Sequence, residues 1–98
     1  MFLGLVAGAC LAPTLPLPPP SKPDVEGPDD QGNVTLRGSV QPDAWVIAQN
    51  ATNGDGDSQR ASSDGSYVLV FAAASGDEIA LYYRIGTEES SSLLFQIP

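Results

Sequence analysis

The sequence contains no histidine and a single cysteine, Cys10. The first absence removes the commonest general base and the commonest ligand for zinc or copper, so neither a Ser-His-Asp nor a Cys-His nucleophile can be built. The second excludes an internal disulfide and any CxxC metal or redox motif. Cations are scarce: four Lys and Arg stand against twelve Asp and Glu, a formal net charge of −8. Such a surface is unsuited to nucleic acid, whose phosphates need a basic partner, and to a peripheral hold on anionic lipid heads. No stretch keeps helical periodicity over three turns. What remains open to the chain is carboxylate chemistry, or calcium held by oxygen ligands.

What is present falls into three parts. Residues 2–9, FLGLVAGA, are apolar and small. They are too short for a membrane-spanning helix, which needs about 20 apolar residues. They fit a signal-peptide apolar region, and since no Lys or Arg precedes Lys22 the segment 1–9 is expected to be truncated at its start. Residues 10–32 carry Cys10 and then a tract with seven of the nine prolines, turning acidic at Asp24, Glu26, Asp29 and Asp30. Proline lacks a backbone N–H, so this tract cannot join a helix or a central strand. It reads as a disordered, extended linker.

From Asn33 to the end, 33–98, short β-prone runs alternate with Gly, Asp, Asn and Ser turns. This is the spacing of an all-β sandwich, here a small antiparallel one of about six strands. VTLRGSV places Val34, Leu36, Gly38 and Val40 on one face. AWVIAQN places Ala44, Val46 and Ala48 on one face, with Trp45 and Ile47 on the other. SQRASS, near 57–62, is polar and reads as an edge strand. SYVLVFAA is apolar on both faces and reads as a central one. EIALYYRI groups Ile79, Leu81, Tyr83 and Ile85, and SLLFQI groups Leu93, Phe95 and Ile97. Asp64-Gly65 lies between two strand candidates and predicts a hairpin turn.

Several residue sets invite a functional reading. Asn53, Asp55 and Asp57 alternate like the first ligands of a calcium loop, with Asp64 twelfth from Asn53. Ser58 stands where that loop needs glycine, and the same residues suit an ordinary solvated turn. Asp55/Asp57 and Glu88/Glu89 are carboxylate pairs on loops, with no apolar cleft in the sequence to tune them, so the chain is expected to be non-catalytic. Trp45 and Tyr82, if they share a sheet face, form a contact patch for a sugar or a protein. Asn33-Val-Thr and Asn50-Ala-Thr match the N-glycosylation acceptor pattern, live sites in a secreted eukaryotic chain.

Two resemblances follow from these residues. In VTLRGSVQPDAWVIAQN and ASSDGSYVLVFAAASGDEIALYY, the order of Gly38, Val40, Pro42, Ala44, Val46, Asp64, Gly65, Tyr67, Gly76 and Asp77 resembles that of bacterial immunoglobulin-like and carboxypeptidase-regulatory-like domains. That resemblance implies an Ig-like sandwich acting as a spacer, scaffold or adhesion module, with no catalytic residues. AGAC, residues 7–10, resembles the lipobox of bacterial lipoproteins, with Gly8 and Ala9 at its small positions. It implies that Cys10 is acylated and becomes the mature N-terminus. With Leu11 next, it implies an outer-membrane or surface location. The expected protein is a lipid-anchored cell-envelope component whose partners are the membrane and another envelope protein or a glycan. The alternative is a secreted module that binds calcium or carbohydrate.

Overall fold

The computed structural model describes residues 17–98; the segment 1–9 and Cys10 lie outside the described residues. The protein is all-β. Its strands are β1 (Asp24–Glu26), β2 (Asn33–Ser39), β3 (Trp45–Asn50), β4 (Gly56–Arg60), β5 (Ser66–Ala72), β6 (Glu78–Ile85), β7 (Glu88–Glu89) and β8 (Leu93–Gln96). They form two antiparallel sheets. One has the order β1-β2-β5. The other has the order β4-β3-β6-β7, and β8 pairs a different part of β6. The six strands expected from the sequence are present as β2 to β6 and β8; β1 and β7 are additional and short.

Alternation along each strand builds the core. Val34, Leu36, Tyr67, Leu69 and Phe71 enter it from the first sheet. Val46, Ala48, Ile79, Leu81 and Ile97 enter it from the second. Each Val, Leu or Ile removed fully from water stabilises the fold by about 1.5–3 kcal/mol. β7 and β8 are halves of one interrupted neighbour of β6. At the break, the Ser90 amide donates to Tyr83 O at 2.9 Å and the Ser90 hydroxyl accepts from Tyr83 N at 3.0 Å. Side chain thus replaces backbone in the ladder for one step.

Three sequence expectations are corrected. First, the acidic end of the 10–32 linker is partly folded, for Asp24–Glu26 pairs β2 through Asp24↔Arg37 and Glu26↔Thr35. The proline tract before it is anchored too: Pro20 and Pro23 are buried, and Ser91 N donates to Leu17 O at 3.0 Å. Proline rings pack without needing a ladder partner, and β1 is an edge, where missing donors are tolerated.

Second, β5 is not central. Among the described residues its only ladder partner is β2, and Val68 and Val70 are exposed. Its free edge is covered by side chains of the β4 segment. Val68 N donates to Gln59 Oε1 at 2.8 Å, Val70 N to Asp57 Oδ2 at 3.0 Å, and Ala72 N to Asp55 Oδ2 at 2.8 Å. Every second residue of 55–59 supplies one acceptor, because alternate side chains of a strand share a side. An edge strand of one sheet is joined to an edge strand of the other without a backbone ladder.

Third, Asp64-Gly65 makes no hairpin. It carries the chain from β4 in one sheet to β5 in the other. Gly65, at φ 89, donates its amide to Ser62 O at 2.9 Å and accepts from Val40 N at 2.9 Å. The Asp64 carboxylate accepts from the Ser66 amide at 3.0 Å, the Ser66 hydroxyl at 2.8 Å and the Ser62 hydroxyl. These bonds, the Ser62 hydroxyl foremost, lower its pKa from 3.8 to about 2. A carboxyl depressed on folding contributes stability that is complete above its unfolded pKa and fades as pH falls through the folded one. Thermal melts should therefore lose part of their Tm between pH 3.8 and about 2, and Asp64→Asn should remove that part. An identical acid limb in the variant would show that the turn does not depend on this charge.

Candidate functional site

The solvent face of the five-stranded sheet carries the side chains that the core does not use. Its first row reads Arg60–Trp45–Arg84–Glu89 across β4, β3, β6 and β7. The next reads Ser58–Ile47–Tyr82, and the next Gly56–Gln49–Ala80–Leu94. Trp45 and Tyr82 therefore share one face, as the patch expectation required. Trp45 is 44% exposed and Leu94 61%, while Ile47, Ala80 and Tyr82 are half-buried. Ile47 shares the outward face of Trp45 in β3, whereas Leu94 joins the patch only through the pairing of β8 with β6.

At the charged end of this face Trp45 stands in a cleft of about 460 Å³ lined also by Pro42, Asp43, Arg60, Arg84 and Ile85. The rim is braced. Asp43 N donates to Ser62 O at 3.3 Å and Ala44 N to Gln41 O at 3.2 Å. Asp43 has φ 65, a left-handed conformation that Asp adopts more readily than most residues. Arg84 reaches Glu89 at 3.8 Å with both side chains about half exposed, a contact of little energetic weight. Arg60 makes no ion pair among the described residues.

The calcium set is not brought together. Asn53 donates Nδ2 to Ala72 O at 3.1 Å and accepts from Asp55 N at 2.7 Å. Asp55 and Asp57 serve the β5 edge, and Asp57 also accepts from Ser58 N at 2.9 Å. Asp64 belongs to the separate turn before β5. Among the described residues no three Asp or Glu side chains are grouped closely enough to hold a metal ion. The alternation read as a calcium loop is thus the two-residue period of a strand edge.

Asn50 was read only as a glycosylation acceptor, and the structure gives it another task. It is 1% exposed, so its nitrogen is closed to modification in the folded state. Nδ2 donates to Asp77 Oδ2 at 2.8 Å and to Ala72 O at 3.2 Å, while Oδ1 accepts from Thr52 N at 2.8 Å. One amide joins the end of β5 to two turns. The Asp77 carboxylate, which also accepts from Ala74 N at 2.9 Å, is held below its ordinary pKa by that amide first and by Asn50 second. Asn33, the other acceptor asparagine, is half-buried within β2. Asn50 continues the inward period of Val46 and Ala48 at the end of β3, so its burial follows from the alternation; its partners Ala72 and Asp77, 22 and 27 residues away, do not.

Comparison with family models, with curated proteins and with solved structures finds no match to this chain.

Proposed function

We propose that the chain is a non-catalytic, lipid-anchored protein of a bacterial cell envelope that presents an Ig-like module for binding. The observation that carries the binding role is the sheet face on which exposed Trp45 and Leu94 flank half-buried Ile47 and Tyr82. Apolar side chains grouped on a solvent-facing sheet mark a contact surface. The two-sheet architecture agrees with the Ig-like and carboxypeptidase-regulatory-like resemblance, whose members act as scaffolds and adhesion modules. The anchor rests on the lipobox-like AGAC at 7–10 and the apolar run before it. Several acyl chains on one cysteine satisfy the two-signal requirement for stable membrane attachment. The alternative is a secreted module, without the Cys10 anchor, that binds calcium or carbohydrate. Its calcium form is disfavoured by the hydrogen bonds that already occupy Asp55, Asp57 and Asp64.

Intact-mass analysis of protein expressed in a bacterial host with its native upstream region tests the anchor, beside Cys10→Ala. The expected wild-type chain begins at Cys10 with an acyl mass and partitions into detergent, and the variant does neither. A wild-type chain that keeps Met1 without lipid, or that begins elsewhere, removes the anchor from the reading.

A further inference from the structure

The charge around Trp45 names a ligand class for the binding face proposed above, on which this inference rests. The chain has four Lys and Arg in all, and two of them, Arg60 and Arg84, flank its only tryptophan from the two adjacent strands. In a chain of net charge −8 this places cations where an exposed aromatic ring is, against the overall sign. Neither guanidinium is spent on the indole. The cation–ring contact among the described residues is Lys22 over Phe95, with 5.9 Å to the centroid. Arg84 gives one weak contact to Glu89, and Arg60 gives none to a carboxylate. Each guanidinium has five donors in a fork that matches a carboxylate.

We propose that the Trp45 cleft binds an acidic saccharide, with the apolar face of a uronate ring on the indole and its carboxylate on Arg60 or Arg84. The cleft volume of about 460 Å³ lies in the range of small-ligand sites, roughly 300–1,000 Å³. Tryptophan supplies a flat apolar platform with low ordering cost. Asp43 in the lining supplies an acceptor for sugar hydroxyls. A uronate brings hydroxyl donors for Asp43 beside its carboxylate, which the side chains of an acidic peptide lack. The braced 41–44 rim keeps the loss of freedom on binding small.

Trp45 is the only tryptophan, so its fluorescence reports this cleft directly. The full chain is titrated with a trigalacturonate, with the neutral galactose trimer and with a tetraglutamate peptide. Saturable quenching or blue shift is expected with the trigalacturonate, weakened several-fold by 0.5 M salt because the charges are exposed. The double variant R60Q/R84Q should bind at least tenfold more weakly while keeping its Tm, since both side chains lie on the surface. Calorimetry on Trp45→Ala should show no heat of binding. Equal binding of the neutral trimer, unaffected by R60Q/R84Q, overturns the acidic class but leaves the binding face standing. Tighter binding of the peptide overturns the saccharide. No response to any of the three probes at millimolar concentration overturns this inference, whereas the Cys10 mass measurement stands or falls independently of it.

Discussion

Replacing Asp55 and Asp57 together with alanine is expected to lower Tm by roughly 10 °C and to make the protein self-associate. The two carboxylates accept from Ala72 N and Val70 N, so their removal strips two of the three side-chain acceptors from the β5 edge. These bonds lie at the surface, where water competes, so each is worth about 1 kcal/mol. In a domain of this size 1 kcal/mol moves Tm by roughly 4–8 °C. The second consequence follows from geometry. β5 keeps exposed Val68 and Val70 beside a row of unpaired N–H groups, which is a template for strand addition. Amide exchange at Val70 and Ala72 should accelerate, and sedimentation should reveal species larger than those of the wild type. Asp55→Asn with Asp57→Asn is the control, because each retains an amide oxygen as acceptor and should preserve most of the protection. Unchanged exchange and unchanged sedimentation in the alanine variant would show that the edge is closed by something other than these side chains.

Gly38→Ala should damage the fold, because the added methyl group meets a core side chain. Gly38 faces Tyr67 across the β2–β5 ladder, and a Cβ there would stand 2.5 Å from Tyr67 Oη and 2.8 Å from Cζ. The phenol is 2% exposed and has no room to retreat without disturbing the core. Overpacking of this kind costs about 1–3 kcal/mol, which corresponds to a Tm loss of ~5–20 °C. The Tyr67 hydroxyl has no hydrogen-bond partner among the described residues, so Tyr67→Phe should be neutral or stabilising in itself. It should also recover part of the Gly38→Ala loss by removing the nearest atom. If Gly38→Ala melts like the wild type, the close packing of phenol on glycine is not a constraint. The same burial raises the Tyr67 pKa from 10.0 to about 12. A phenol kept neutral by folding contributes fully below its unfolded pKa and loses that contribution as pH rises through the folded one. Stability should decline between pH 10.0 and about 12, and Tyr67→Phe should flatten that alkaline limb.

Much of this was legible in the chain because it is local. Each strand's buried face follows from a two-residue period, and Val34/Leu36, Val46/Ala48 and Ile79/Leu81 point inward as that period requires. The polar run 57–62 reads as an edge, and β4 is one. The binding patch was half legible: Trp45 and Tyr82 were identifiable as outward-facing. Their full company was not: Arg84 shares the face of Tyr82 within β6, but Arg60 and Leu94, and Arg84 beside Trp45, arrive only through pairings between β3, β4, β6 and β8.

The sequence by itself determined the class of fold, the inward and outward residues of each long strand, and the chemistry denied to a chain without histidine. The tertiary structure decided what neighbours what. Asp55, Asp57 and Asp64 look like ligands of one ion when read in order, yet two of them close the β5 edge and the third caps a turn between sheets. Asp64-Gly65 looks like a hairpin, yet the strands it joins lie in different sheets. The physical reason is the same in both cases. A side chain's face is set by its own backbone, whereas the partner of a carboxylate or a strand edge is set by contacts far along the chain, such as Asp55 to Ala72 across 17 residues.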